Sequence, residues 1–373
     1  MTTSKLLPAE IQRIAVFRAL QLGDSLCAVP AWRALRGAFP QAHITLIGLP
    51  WAQGFVHRFS HLFDDFVAFP GLPGFPERSP DLYEFPFFLG RVQRRQFDLA
   101  LQMHGDGSLS NSLVGLFAAR FSGGFYLPGA FQLDPDLSLP YPQHEPEVWR
   151  HLRLVERLGL PLRGDGLEFP LFAEDRRALA ALPGAAALQP DRYAVLHPGA
   201  RAEQRRWPAE NFARVADALA ERGLAVVLTG APSEAPLTRA VSARMHVPAI
   251  DLAGATSLGG LAALLDGARL LVSNDTGVSH LAAALQTPSV VLYLASDPER
   301  WAPLDRRRHR VVRCPVSVED RPADVPGPDR VIAEVEDLLQ QSLPSTGRRP
   351  AAPERPAPPA RRPHLRQEAA HDA

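Results

Sequence analysis

Short apolar runs alternate with amphipathic stretches along most of the chain. Ile14-Ala15-Val16-Phe17 and His43-Ile44-Thr45-Leu46-Ile47-Gly48 have the character of buried strands. Between them Leu26, Val29, Leu35 and Phe39 mark one face of a helix, with Pro30 near its first turns. Strand, helix and strand in this order predict a βαβ unit of a parallel sheet. Further strand-like runs lie at Phe66-Val67-Ala68-Phe69, Phe97-Asp98-Leu99-Ala100-Leu101 and Phe121 to Tyr126. The alternation then resumes at Tyr193-Ala194-Val195-Leu196, Leu224 to Thr229, Ala249 to Leu252, Leu270-Leu271-Val272 and Ser289-Val290-Val291-Leu292-Tyr293. Helical stretches holding Phe212, Val215 and Leu219, and Leu258 to Leu265, separate these runs. Such unbroken alternation predicts two doubly wound α/β domains, placed at residues 1–175 and 176–343.

The most informative turn follows Leu270-Leu271-Val272-Ser273-Asn274. Asp275-Thr276-Gly277-Val278-Ser279-His280 leads there into the Ala/Leu-rich run Leu281-Ala282-Ala283-Ala284-Leu285. Thr276 is placed to cap the helix, and Gly277 allows a ligand close to the backbone. Free N–H groups in the first helical turn, with the helix dipole, make a natural seat for a phosphate. Thr276 and His280 are four residues apart and so share a helix face. An ordinary capped crossover helix would read the same way.

Asp24 lies just past the first strand, where open α/β sheets place their ligands, and it is equally suited to cap the following helix. The turn there holds one glycine and lacks the dinucleotide-binding G-x-G-x-x-G pattern. Arg205 and Arg206 precede Trp207-Pro208, and arginine is suited to paired contacts with phosphates, although a solvated basic loop has the same composition. His104 and Asp106 follow another strand and are positioned to border the same cleft; without accompanying Cys or His, His104 does not suggest a metal ligand. The stretch from Pro70 to Pro86 reads as a long irregular excursion. Its Phe75 and Phe85, with Phe87 and Phe88 just beyond, would either meet a lipid-like acceptor or close the core beneath the loop.

The bulk numbers narrow the class. Among 373 residues, 40 Lys and Arg balance 40 Asp and Glu, which argues against an extended nucleic-acid footprint. Cys27 and Cys314 are the only cysteines, too few for a disulfide framework or a structural zinc site, and a reducing cytoplasmic setting is expected. No signal peptide or membrane-spanning run is expected either. From Pro344 onward seven prolines and six arginines fall within thirty residues, so 344–373 is expected to be a disordered tail. Its arginines would favour anionic lipid on the inner face of the membrane. Before the tail, Val331, Ile332, Val335, Leu338 and Leu339 predict an amphipathic helix.

Three segments together resemble glycosyltransferase family 9, the ADP-heptose:lipopolysaccharide heptosyltransferases. They are Arg18-Ala19-Leu20-Gln21-Leu22-Gly23-Asp24; His197-Pro198-Gly199-Ala200 with Arg205-Arg206-Trp207-Pro208; and Asn274 to Ala284 with Ser296-Asp297-Pro298. The resemblance implies a GT-B architecture, two Rossmann-like domains with a cleft between them. It also implies an acceptor-binding first domain, a nucleotide-sugar-binding second domain, and inverting transfer without an obligatory metal or other cofactor. By position Asp24 matches the family's catalytic base, with Arg18, His104 and Asp106 as acceptor-side candidates. Arg205 matches a basic residue on the donor phosphates, with Arg206 beside it. Asp275, Thr276, Gly277 and His280 match the donor-binding turn. Ala200 departs from the pattern, standing where some members carry a hydroxyl. The implied donor is an ADP-sugar, ADP-heptose by analogy, and the implied acceptor is lipid-linked or an oligosaccharide. In GT-B proteins a terminal helix commonly packs back across the cleft. Two other readings remain: a GT-B-like nucleotide-sugar epimerase or hydrolase, and a binder of sugar nucleotides without turnover.

Overall fold

The structure is a computed structural model, and residues 10–314 and 325–341 are described. The strands are β1 (Arg13–Phe17), β2 (His43–Gly48), β3 (Asp65–Ala68), β4 (Leu99–Gln102), β5 (Phe121–Tyr126), β6 (Ser138–Pro140), β7 (Tyr193–His197), β8 (Ala225–Leu228), β9 (Ile250–Asp251), β10 (Leu270–Asn274), β11 (Ser289–Tyr293) and β12 (His309–Arg313). They form two six-stranded sheets, ordered β3-β2-β1-β4-β5-β6 and β12-β11-β10-β7-β8-β9. Neighbouring strands are parallel in both. Each order is that of a doubly wound nucleotide-binding fold, and its direction reverses between β1 and β4 in one sheet and between β7 and β10 in the other. Ligand crevices form at such reversals, beyond the carboxyl ends of the strands. Every residue of β7, β10 and β11 is buried. Helices on both faces of a parallel sheet demand that continuity, which is why these strands read as unbroken apolar runs.

The helices are α1 (Leu22–Ala38), α2 (Ala52–Arg58), α3 (Phe85–Gln93), α4 (Ser110–Gly115), α5 (Glu147–Arg157), α6 (Ala173–Ala180), α7 (Ala209–Glu221), α8 (Ala235–Ser242), α9 (Leu258–Gly267), α10 (Gly277–Leu285), α11 (Pro298–Trp301) and α12 (Pro328–Gln340). None of the described helices is long and apolar enough to cross a membrane. Pro30 falls in the middle of α1 rather than in its first turns. It lacks the N–H that would otherwise bond back along the helix, and dense packing on the core holds the segment helical. Leu26, Val29, Trp32 and Leu35 of α1 share one core cluster with Leu281, Ala284 and Leu285 of α10, so apolar packing is continuous from one sheet to the other.

The crossing between the sheets has a second fixed point. Helix α6 packs on α9 of the second domain. Its Asp175 receives both Nη atoms of Arg58 at the end of α2, at 2.6 and 2.9 Å. Phe169 and Phe172 flank that guanidinium, with ring centroids 4.7 and 4.9 Å away. A bidentate, buried pair of this kind holds only with such geometry, because each lone charge would be costly to bury.

One sequence expectation is corrected, and the two alternatives for the aromatic cluster divide between its residues. Helix α12 does not lie across the cleft: it packs on α7, β11 and β12, and Val331, Val335 and Leu338 join the core of the second domain. Of the aromatic residues around the excursion, Phe75 and Phe88 are core residues, whereas Phe87 is 55% exposed beside Tyr83. The tail, 344–373, lies outside the described residues.

Candidate active site

The two reversal points face each other. Helix α1 starts just after β1 and α10 starts just after β10, and these two helices touch across the domain boundary. Their amino ends meet at glycines. A Cβ added to Gly23 would lie 3.4 Å from Cα of Gly277, and one added to Gly277 would lie 3.4 Å from the nitrogen of Gly23. Two helix amino termini converge here, each bringing free N–H groups and the positive end of a dipole. The N–H groups of Gly277 and Val278 make no hydrogen bond among the described residues. This concentrates fixed positive potential in one crevice, a setting for an anionic ligand.

Asp24 occupies the third position of α1. The cap position itself is Gln21; Asp24 Oδ2 reaches back to accept the Gln21 N–H at 3.3 Å, so it supports the start of the helix from its first turn instead of capping it. Burial raises its pKa from the ordinary carboxylate value, and the negative charge of Glu147 adds to this; Arg18 and His280 pull the other way. A carboxylate raised in this manner is a better proton acceptor than one in water. Arg18 does not pair with that carboxylate. Its Nε and Nη2 donate to the main-chain oxygen of Asp24, at 3.1 and 2.7 Å, and Nη1 donates to Met103 O. Buried to 2% exposure, Arg18 is thus a brace for the turn rather than a free cation for an acceptor.

His104 lines the same side. Its Nδ1 accepts the Ala19 N–H at 3.2 Å, which leaves the proton on Nε2. Burial, helped by the nearby charge of Arg18, depresses its pKa to about 3, so it stays neutral. Nε2 faces Glu77 at 3.8 Å, a residue of the long excursion that sequence reasoning passed over. Burial raises the pKa of Glu77 as well, and the carboxylate lies within electrostatic reach of Asp24 and of Arg201 in the second domain. Asp106 accepts the Ser108 N–H at 2.9 Å and shapes its own loop.

On the donor side the turn after β10 is assembled by Asn274. Its Nδ2 donates to Pro198 O at 2.8 Å, and its Oδ1 accepts the Trp207 N–H at 3.1 Å. One side chain therefore joins the turns after β7 and β10, while Trp207 Nε1 pins the loop to Pro326 O at 2.8 Å. Arg205 ends a short 3-10 turn, Glu203–Arg205, with its side chain 41% exposed and Nη1 3.7 Å from Asp275 Oδ2. That same oxygen accepts the Ser296 hydroxyl at 2.6 Å, so Asp275 is held from two directions. Arg206 turns inward: its Nε donates to Ala200 O at 2.8 Å and Nη1 pairs with Glu203. It braces the loop and offers no free cation. Ala200 itself is buried.

Two donor-side expectations change in detail. Thr276 starts α10 in extended geometry, but its hydroxyl makes no cap; Oγ1 is buried and unpartnered among the described residues. His280 is buried between the domains instead of standing at the mouth of the helix. Its Nδ1 lies 3.4 Å from Cys27 Sγ of α1, and Trp301 packs edge-on against its ring. Burial pushes the Cys27 thiol pKa up and the His280 pKa down, so both groups of this contact stay uncharged. A cavity of about 320 Å³ opens beside this pair, bordered by Cys27, Glu147, His280, Arg300, Trp301 and Asp305.

Comparison with known proteins agrees with this geometry. The sequence profile of glycosyltransferase family 9 (heptosyltransferase) matches residues 88–318. Lipopolysaccharide heptosyltransferase 3 of Escherichia coli strain K12 is 33% identical over 223 residues, which span 54% of this chain and only 62% of that protein. Lipooligosaccharide heptosyltransferase 2 of Haemophilus ducreyi is 24% identical over 310 residues, 79% of this chain and 87% of the relative. Among solved structures, a glycosyl transferase family 9 protein from Veillonella parvula superposes with a TM-score of 0.75 at 22% identity, covering 90% of this chain and 99% of its own. The Escherichia coli ADP-heptose LPS heptosyltransferase II superposes with a TM-score of 0.69 at 23% identity, covering 88% and 98%. The two sheets and the crevice between them are thus a GT-B fold. With the family profile matched over residues 88–318, the chain belongs to glycosyltransferase family 9.

Proposed function

We propose that this protein is an inverting glycosyltransferase that moves a heptose, or a related sugar, from an ADP-sugar to a lipopolysaccharide core-type acceptor. The reading rests above all on one observation: the amino ends of α1 and α10 meet at Gly23 and Gly277, with Asp24 in the first turn of α1. An ADP-sugar seated with its diphosphate on the first turn of α10, beside Arg205, would present its anomeric carbon toward Asp24. Asp24 then takes the proton from an acceptor hydroxyl. The hydroxyl oxygen forms a bond to the anomeric carbon, and the bond from that carbon to the phosphate oxygen breaks, its electron pair leaving with ADP. Fixed N–H dipoles and Arg205 stabilise the departing charge without needing to reorganise. Neutral His104 and the carboxyl of Glu77 lie on the acceptor side, where they would orient hydroxyl groups. The relatives' names supply the heptose and the lipopolysaccharide acceptor, and both come to this chain by analogy.

Incubation of the full chain with ADP-heptose and lipopolysaccharide core acceptors, read by mass spectrometry, tests the proposal. The expected product is an acceptor heavier by one heptose, with ADP released in equal amount. Consumption of the donor without glycosylated acceptor would favour a hydrolase or epimerase, and ADP-heptose binding with no consumption would favour a sensor.

A further inference from the structure

Glu147 opens α5 and is 4% exposed, yet four side chains share its carboxylate. Oε1 faces Arg18 Nη2 at 3.3 Å and His151 Nε2 at 3.2 Å; Oε2 pairs with Arg150 and with Arg300 Nε, the latter at 3.2 Å. Three of these partners belong to the first domain. Arg300 comes from α11 of the second domain, and its Nη2 also donates to the Tyr141 hydroxyl at 2.9 Å. Burial alone would raise the pKa of Glu147, but the His151 hydrogen bond and the cations Arg18 and Arg150 outweigh it, so the group stays charged. Arg18 spends its remaining donors on the main-chain oxygens of Asp24 and Met103. A continuous series of charge-assisted bonds therefore leads from Arg300 through Glu147 and Arg18 to the turn that carries Asp24.

We infer that Glu147 is a positioning residue that makes the placement of Asp24 depend on the docking of Arg300 from the second domain. The inference rests on the proposed function, which gives Asp24 its role as base. With Arg300 seated, Oε2 is divided between Arg300 and Arg150, and Oε1 remains for Arg18. Withdrawing Arg300 lets the carboxylate turn toward Arg150 and loosens its hold on Arg18. The brace on the Asp24 main chain slackens, and a base displaced by a fraction of an ångström loses much of its effect.

Arg300 is 33% exposed and is the safer residue to change. Arg300→Gln is expected to lower kcat about tenfold, with calorimetric ADP affinity and melting temperature unchanged. Arg300→Lys keeps the charge but reaches only one of its two partners, so an intermediate rate is expected. Glu147→Gln supplies a readout that a merely structural role would not move. Asp24 is faced by Arg18 at the end of β1, Glu147 of α5 and His280 of α10, with Glu77 and Cys27 within electrostatic reach. Removing the Glu147 charge leaves Arg18 less opposed, so the acid limb of the kcat profile should move to lower pH. In Arg300→Gln that limb should stay where it is. Wild-type kcat in Arg300→Gln would overturn the inference, and so would an unmoved acid limb in folded Glu147→Gln; if Glu147→Gln fails to fold, Arg300→Gln decides. A wild-type protein that transfers no sugar would overturn the proposed function and the inference together, whereas wild-type turnover with unaffected variants overturns the inference alone.

Discussion

A Cβ on Gly23 would lie 2.7 Å from Cδ2 of His280, a residue of the other domain. Cys27 and Trp301 hold the imidazole on two sides, and the same Cβ would lie 3.4 Å from Cα of Gly277. Gly23→Ala should therefore wedge α1 and α10 apart. Alanine is the better helix former by about 1 kcal/mol, so the substitution favours α1 itself, and any loss reports the contact between domains. We expect turnover lower by about tenfold or more, with the melting temperature preserved. Unchanged kcat would show that chemistry tolerates a wider gap between the two helix ends.

Asp24→Asn separates support of the helix start from the role of base. Asparagine accepts the Gln21 N–H as aspartate does, so the start of α1 should survive. General-base assistance contributes roughly 10²–10⁴ in rate, and turnover should fall by about a hundredfold or more. ADP affinity and melting temperature should stay near wild type. In the wild-type enzyme the raised pKa of Asp24 places the acid limb of kcat above the ordinary carboxylate value of 3.8. The sign follows from the role: the base works deprotonated, so the rate falls as pH drops through that raised pKa. Normal turnover in Asp24→Asn would send the search for a base to Asp106 or Glu77.

Neighbouring arginines should behave differently. Arg205 is half-exposed beside Asp275 and free to meet a phosphate. Removing such a charge-assisted contact costs about 1.5–3 kcal/mol, roughly ten- to a hundredfold in affinity, and Arg205→Ala should weaken ADP binding by that much. Arg206 is committed to Ala200 O. Arg206→Ala should chiefly cost about 1 kcal/mol of stability, read as a lower denaturation midpoint. Calorimetry showing the larger loss of ADP affinity in Arg206→Ala would exchange the two roles.

Acid should unfold the protein early. His104 has its pKa depressed to about 3, and His151 and His309 to about 4, in each case chiefly by burial. The unfolded chain takes up these protons near 6.5 and the folded chain does not. Stability is therefore complete above pH 6.5 and is lost as pH falls from there toward 4. Denaturant midpoints measured between pH 7.5 and 4.5 should drop steadily below 6.5, and replacing buried His151 by Gln should flatten that slope. A midpoint constant down to pH 5 would contradict the burial of all three rings.

The strands of the sheet centres are legible because a parallel sheet covered on both faces needs uninterrupted apolar residues, and Leu270 to Asn274 or Val290 to Tyr293 cannot be much else. Strand β12 is hidden because His309 and Arg310 break its apolar character, and β6 because three residues carry no period. Asp24, Arg205, Thr276 and Gly277 can be read from their places after strands. Glu147 cannot. Along the chain it is one more acidic residue at the start of an amphipathic helix, and its partners Arg18 and Arg300 stand 129 and 153 residues away. The burial of His280 is equally silent, since its position on the helix marks a face but not which element covers it. Local pattern reports which way a residue faces; pairings over such distances are set only by the tertiary fold, within a domain for Arg18 and across the domains for Arg300.

The Arg58–Asp175 pair has a mechanical consequence. It joins α2 of the first domain to a helix packed on the second, in a sleeve of phenylalanine that allows the guanidinium little play. An anchor of this kind removes the freedom to slide at that point and leaves mainly the freedom to swing about it. A small angle at that pivot then becomes a displacement that grows with distance from it. A rotation about that pivot would widen the mouth for a large substrate, and the same rotation reversed would return the two helix ends to one register. Reproducible closure would then follow from where the anchor sits, with no need for the cleft walls to recognise each other afresh in every cycle.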